Sequence, residues 1–196
     1  MKCFASLDVE TDGPTALLHS MRSLGVALFH GGCLQPYDTF YVTILPQENA
    51  SQDQVTMRDF WAMHPAQWLE CNKGAVSPAE AMRRLSDWLK KQSGGIKWVA
   101  SPACFDWGWL KSYYERYGPE DKFDIGFFCD CLPSLMRTYM IMANVQNEAL
   151  FKQSLAPEQR PTHNALDDAI CVGARYMRFR MLLRAHQQRQ QWLPYK

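Results

Sequence analysis

The sequence has no apolar run approaching the 18 or so residues that a membrane span requires, and Met1-Lys2-Cys3-Phe4 reaches Asp8 too soon for a signal peptide. It has no C-x-x-C pair either. Cys3, Cys33, Cys71, Cys104, Cys129, Cys131 and Cys171 are scattered among apolar neighbours. That pattern excludes a disulfide framework and indicates reduced thiols in a cytoplasmic protein. Cys129-Asp130-Cys131 is the closest pair and, without a second one, does not read as a metal site. Internal repeats, low-complexity tracts and linker-like stretches are all missing, so the 196 residues read as one domain over 1–196. The last part of the chain lacks acid: from Ala169 onward there is no Asp or Glu, while Arg175, Arg178, Arg180, Arg184, Arg189 and Lys196 occur there. The net charge of +1 hides this asymmetry. A basic end suits a polyanionic partner, although a solvated helix face gives the same pattern.

What is present is ordinary for a globular protein: 47% hydrophobic and 21% charged residues. Lys2 to Glu10 is almost continuously apolar, as expected of a central strand covered on both faces. Thr11-Asp12-Gly13-Pro14 ends it with turn chemistry. Arg22 to His30 and Thr39 to Leu45 read as two further strands, with Gly31-Gly32 favouring a hairpin or meander. Ser77-Pro78-Ala79-Glu80 is a capping box that opens a helix with a stripe of Ala81, Leu85, Trp88 and Leu89, closing near Ser93-Gly94-Gly95. Lys97 to Ala100 is a short strand before another helix, Asp130 to Ala143 reads as helix, and Gln146 to Thr162 as mostly loop. A last helix is expected from about Ala165 to Gln188. The order βββαβα…α predicts an α/β fold with a mixed central sheet flanked by helices.

Three acidic segments carry the chemistry. Asp8 and Glu10 stand two apart on a strand and so share a face. Like charges that close raise each other's pKa and cost stability unless a cation neutralises them. Asp106 follows a strand and opens a helix among Phe105, Trp107 and Trp109; a helix N-cap is the plain alternative, but it leaves an acid enclosed by three aromatics unexplained. His163 precedes a helix whose first turn holds Asp167 and Asp168. Acids there are often only macrodipole partners, yet a histidine five before an acid, beside two other acidic segments, suggests more. The isolated His19, His30 and His186 read as structural or exposed.

Together the segments resemble the three motifs of the DEDDh superfamily of 3′–5′ exonucleases, which includes oligoribonuclease, RNase T and polymerase proofreading subunits. The first is D-x-E-T-x-G, here Asp8-Val9-Glu10-Thr11-Asp12-Gly13. The second contains Phe-Asp before an apolar helix, here Phe105-Asp106-Trp107-Gly108-Trp109-Leu110. The third is H-x-A-x-x-D-A, here His163-Asn164-Ala165-Leu166-Asp167-Asp168-Ala169. Two departures from the pattern stand out: Ser101-Pro102 stands where many members have His-Asn, and Asp12 replaces the usual threonine or serine.

The resemblance implies a ribonuclease H-like fold and two divalent ions, Mg²⁺ or Mn²⁺, hydrolysing the terminal phosphodiester of single-stranded nucleic acid to 5′-mononucleotides. It assigns Asp8 as the ligand shared by both ions, Glu10 and Asp168 to the nucleophile side, Asp106 to the leaving-group side, and His163 as general base. The five-residue spacing selects Asp168 over Asp167. Thr11 and Asp12 are expected at the terminal nucleotide, and Trp61, Phe105 and Trp107 are candidates to stack on bases. Phe60-Trp61 with His64-Pro65 resembles a segment that some members place over the substrate. RNA or short oligonucleotides are favoured. The alternatives are a DNA-directed proofreading or repair exonuclease and a non-catalytic nucleic-acid-binding module. A homodimer is expected on the resemblance alone.

Overall fold

Strand β1 (Cys3–Thr11) alternates two kinds of residue, and that alternation organises the molecule. Side chains of a strand point to opposite faces in turn. Cys3, Ala5, Leu7 and Val9 therefore enter one core, while Phe4, Ser6, Asp8 and Glu10 face the other side. The computed structural model describes residues 3–92, 94–157 and 161–191. Lys196, Ser93 and the side chain of Arg189, all named above, lie outside that description.

β1 pairs antiparallel with β2 (Met21–His30), which pairs antiparallel with β3 (Asp38–Thr43). On its other edge β1 runs parallel to β4 (Ile96–Ala100), and β4 runs parallel to β5 (Cys129–Cys131). The sheet is thus mixed, in the order β3-β2-β1-β4-β5, with β1 at its centre. Helices α1 (Gln54–Asp59) and α2 (Pro65–Asn72), joined by a short 3₁₀ turn over Trp61–Met63, precede α3 (Pro78–Lys90). Helix α3 and helix α4 (Ala103–Tyr117) cover one face of the sheet. Helices α5 (Leu132–Met142), α6 (Glu148–Ser154) and α7 (Ala165–Gln191) cover the other. The expected α/β sandwich and its βββαβα…α order are observed.

Two local expectations change. Asp130 and Cys131, expected in a helix, form β5, because the parallel edge of β4 offers unpaired amides that they satisfy. Within the stretch expected as loop, α6 forms: Asn147 caps it by accepting the Leu150 N–H, and Phe151 is buried against the second core. The capping box at Ser77 is as expected: Ser77 accepts the Glu80 N–H, and Glu80 also pairs with Arg83 and Arg84.

Helix α7 lies unusually close to the sheet. A Cβ on Gly25 would run into the Ala165 carbonyl oxygen, and one on Gly173 would run into the Phe29 ring. Ser6 Oγ donates to the Ala169 carbonyl at 2.7 Å, fixing the first turns of α7 over β1. Gly25 is the register partner of Asp8. Gly25→Ala must therefore push the start of α7 away from β1 and β2. The expected cost is about 1–3 kcal/mol of overpacking, read as a drop of several degrees in Tm, with hydrolytic activity falling further than stability. An unchanged Tm would show that α7 has slack there.

Candidate active site

The second face of β1 delivers Asp8 and Glu10 beneath the first turn of α7. The turn before α7 is shaped by its own polar groups. Asn164 Oδ1 accepts the N–H groups of Leu166 (3.0 Å) and Asp167 (3.3 Å), capping the helix. His163 takes a left-handed φ of 59°. That turn aims the N–H groups of Thr162 (2.8 Å) and His163 (3.3 Å) at the Asp168 carboxylate. One ligand atom each of Glu10, His163 and Asp168 lies within 4.8 Å of the others. Asp106, in the first turn of α4, completes the group from the end of β4.

All four carboxylates are pushed above the ordinary range, and burial is the leading cause each time. Asp8 is raised strongly by burial and then by the charges of Asp106, Glu10 and Asp168. Glu10 rises to about 8, through burial and then Asp168 and Asp106. Asp106 rises to about 7 through burial, although backbone amides, first that of Val9, hold it down. Asp168 is raised by burial against the amides of Thr162 and His163. Asp106 Oδ2 is buried without a hydrogen-bond partner. Four mutually repelling acids with a buried, unpartnered oxygen form a donor set that suits hard divalent cations such as Mg²⁺ or Mn²⁺.

Asp167 points elsewhere. Its Oδ2 accepts the Thr162 hydroxyl at 2.9 Å, and it lines a cavity with Tyr41 and Gln67, away from Asp8 and Asp106. Thr11 and Phe105 line a cavity of about 280 Å³ that reaches the cluster through Glu10 and is closed by Phe60 and Thr56. Asp12 does not reach that cavity. A register shift between Glu10 and Thr11 turns it inward, where it is buried against Arg22 (3.4 Å) and accepts the Ser20 N–H. Trp61 is also buried, with its Nε1–H donating to the Thr11 carbonyl at 2.8 Å, so its ring is not free to stack on a base. Trp107 packs on Trp98 with ring centroids 5.4 Å apart. Of the three aromatics expected to stack, Phe105 alone opens onto the cavity, and Phe60 takes the place assigned to its neighbour.

The sequence places His64 in a segment over the substrate but gives its ring no role. Its ring centroid lies 4.3 Å from that of His163, and Phe60 meets His163 edge-on at 4.9 Å. The segment carrying both rings is tied down by the Trp61–Thr11 bond, by the Asp53 N–H to the Asp12 carbonyl (2.8 Å), and by Arg22 bonding Asn72. Those ties use Asp12 and Arg22 as anchors. The signal was the Phe60-Trp61…His64-Pro65 segment itself.

The comparisons with known proteins bear on the family and the fold. The model of the family described as 3′–5′ exoribonuclease Rv2179c-like domain matches residues 3–179. The 3′–5′ DNA exonuclease Cap18 of Escherichia coli is 24% identical over 175 residues, covering 85% of each chain. The nuclease domain of 3′hExo, a DEDDh family member solved bound to rAMP, superposes with a TM-score of 0.60 at 15% identity, covering 93% of this chain and 92% of that one. The zinc-bound ExoI–ssDNA complex of E. coli gives a TM-score of 0.69 at 14% identity, covering 93% of this chain but 41% of ExoI. The fold is ribonuclease H-like.

The raised pKa values fix how the metal-free protein responds to pH. A carboxyl whose folded pKa lies above its unfolded value of about 4 favours folding while protonated, and that contribution fades as pH rises through the folded value. In a chelator, Tm should fall between pH 6 and 9 as Asp106 (about 7) and Glu10 (about 8) ionise. Millimolar Mn²⁺ should raise Tm more at pH 8.5 than at pH 6. A metal effect that is flat across this range would contradict the buried, repelling cluster.

Proposed function

We infer the reaction from one premise: the chain belongs to the Rv2179c-like family of 3′–5′ exoribonuclease domains. It is a 3′–5′ exonuclease. The observation that carries the site assignment is the convergence of Asp8, Glu10, Asp106 and Asp168, each with a raised pKa, beside the His163 imidazole. Among the described residues no helix is long and apolar enough to cross a membrane. The scattered cysteines, with no C-x-x-C pair among them, support a reducing compartment, the cytoplasm. One domain accounts for the whole site. The homodimer that the resemblance implies gains no support from the comparisons.

The four carboxylates would hold two divalent ions, with Asp8 shared, Glu10 and Asp168 on one side and Asp106 on the other. When bound, such ions neutralise charge on the attacking and departing oxygens of the phosphodiester. His163 takes the proton of the attacking water on an imidazole nitrogen. Its ring is held by Phe60 and His64, beside the Asp168 carboxylate. Glu10, Thr11, Phe60 and Phe105 enclose the terminal nucleoside, with Phe60 and Phe105 offering ring faces to base and sugar. The Thr11 hydroxyl is engaged with the Gly13 carbonyl at 2.9 Å, so Thr11 shapes the cavity floor through that turn.

We favour RNA or short oligonucleotides, on the family's description; the described activity of Cap18 favours DNA as a second reading. A non-catalytic binding module would not need a histidine placed beside a complete acidic set. A time course on 5′-labelled RNA and DNA strands with Mn²⁺ tests all three. A ladder shortening from the 3′ end is expected, the faster sugar identifies the substrate, and intact strands would overturn the enzyme reading.

Single substitutions test the roles. Asp168→Asn should abolish hydrolysis with the fold retained, whereas Asp167→Asn should keep most of it; the reverse would transfer the ligand role to Asp167. His163→Ala should lower kcat by roughly 10²–10⁴, with Mn²⁺ affinity unchanged and residual activity rising with pH as hydroxide replaces the base. A large loss of Mn²⁺ affinity instead would make His163 a ligand.

A further inference from the structure

Two cavities open side by side on the face covered by α5, α6 and α7. One, of about 190 Å³, is lined by Asp8, Ser101, Pro161, Asp168 and Arg175 among others. The second, of about 250 Å³, shares Ser101 and Arg175 with it and continues over Met136 and Met140 to Arg137 and Lys152. Together they form one trough that begins at the carboxylates and ends on cations. Arg175 lies two helical turns beyond Asp168, about 10 Å along the axis of α7 and on the same face. Its Nε is buried and has no hydrogen-bond partner. Arg178 and Arg180 turn elsewhere: Arg178 bonds the Ala156 carbonyl, and Arg180 stands over the Phe4 ring at 4.2 Å. Lys152 is exposed and pairs with Glu148 at 2.5 Å, an ion pair weak enough to exchange for a phosphate. Arg137 is exposed at the rim.

The trough shares no residue with the cavity of Thr11, Phe60 and Phe105. The carboxylates lie between, joined to that cavity through Glu10 and to the trough through Asp8 and Asp168. A single strand whose 3′-terminal nucleoside fills the first cavity and whose scissile phosphate meets the carboxylates must send its remaining nucleotides elsewhere. The trough has the chemistry to take them: cations at intervals for phosphates, and Leu132, Met136 and Met140 for sugars and bases.

We propose that this trough holds the nucleotides 5′ of the scissile bond, with Arg175, Arg137 and Lys152 contacting successive phosphates. The proposal rests on the exonuclease reading and adds a length preference to it. Strands long enough to reach Arg137 and Lys152 bind better than a dinucleotide, and binding there depends on salt.

The test compares wild type, Arg137→Ala/Lys152→Ala and Arg137→Lys on a dinucleotide and a ten-nucleotide single strand. Both altered side chains are exposed, so folding is not at stake. The double variant should lower the ratio of kcat/KM between the ten-mer and the dinucleotide about tenfold, through KM, and Arg137→Lys should restore most of its share. Fluorescence anisotropy of the ten-mer in chelator, where no hydrolysis occurs, should show the salt slope of log K reduced by about 1.4, or about 0.7 for each phosphate no longer neutralised. An unchanged ratio and slope in a working enzyme would overturn the trough and leave the reaction standing. A wild type that hydrolyses neither substrate would overturn the reaction, and the salt slope would still decide the trough. Competition by poly-glutamate as effective as by the strand would reduce it to a general anion patch and overturn the assignment.

Discussion

Four carboxylates held within reach of one another in a space largely closed to water cannot all be charged without a counter-ion, and the rest of the molecule is arranged around that fact. Burial pushes Asp8, Glu10, Asp106 and Asp168 above the usual carboxylate range, and the charges of their neighbours in the cluster add to it at Asp8 and Glu10. A protein gains nothing in stability from such a cluster. Its persistence needs a scaffold rigid enough to hold the acids together while they repel, and a cation to complete it.

The scaffold does this with few devices. The central position of β1 buries both faces of the strand, so the two acids on its second face cannot turn to solvent. Gly25 and Gly173 let α7 approach more closely than any side chain would permit, which brings Asp168 and His163 down onto Asp8 and Glu10. The α1–α2 segment folds over the opening, anchored by Trp61 and Arg22, and delivers Phe60 and His64 against His163. Two cavities leave the cluster, one through Glu10 and the other through Asp8 and Asp168.

Much of this was legible in the sequence because the signals were local. The apolar run of β1, the D-x-E within it and the five-residue step from His163 to Asp168 each encode their geometry in consecutive residues. What the sequence concealed depends on contacts between distant segments. Strand β5 is three residues long and exists only because β4 has an edge to fill. The α1–α2 segment has short helices held by tertiary bonds, which periodicity cannot reveal. Asp12 looked like part of the site because it adjoins the first motif, yet one irregularity in register sends it inward to Arg22. Trp61 and Phe60 are adjacent, and the structure alone decides which ring meets the cavity. The basic C-terminal stretch separated in the same way: Arg175 faces the trough, and Arg178 and Arg180 serve the packing of α7.

Proton release on metal binding tests the central claim most directly. At pH 7 the metal-free cluster holds a proton on Glu10 and part of one on Asp106, and divalent ions must displace them. Calorimetric titration with Mn²⁺ in buffers of different ionisation enthalpy counts those protons. At least one proton per chain should be released at pH 7 and fewer at pH 9.5, and the release should shrink in Glu10→Gln. Mn²⁺ binding with no proton release at pH 7 would mean that the four acids are already ionised, and that they are not the buried, mutually repelling set on which the site is built.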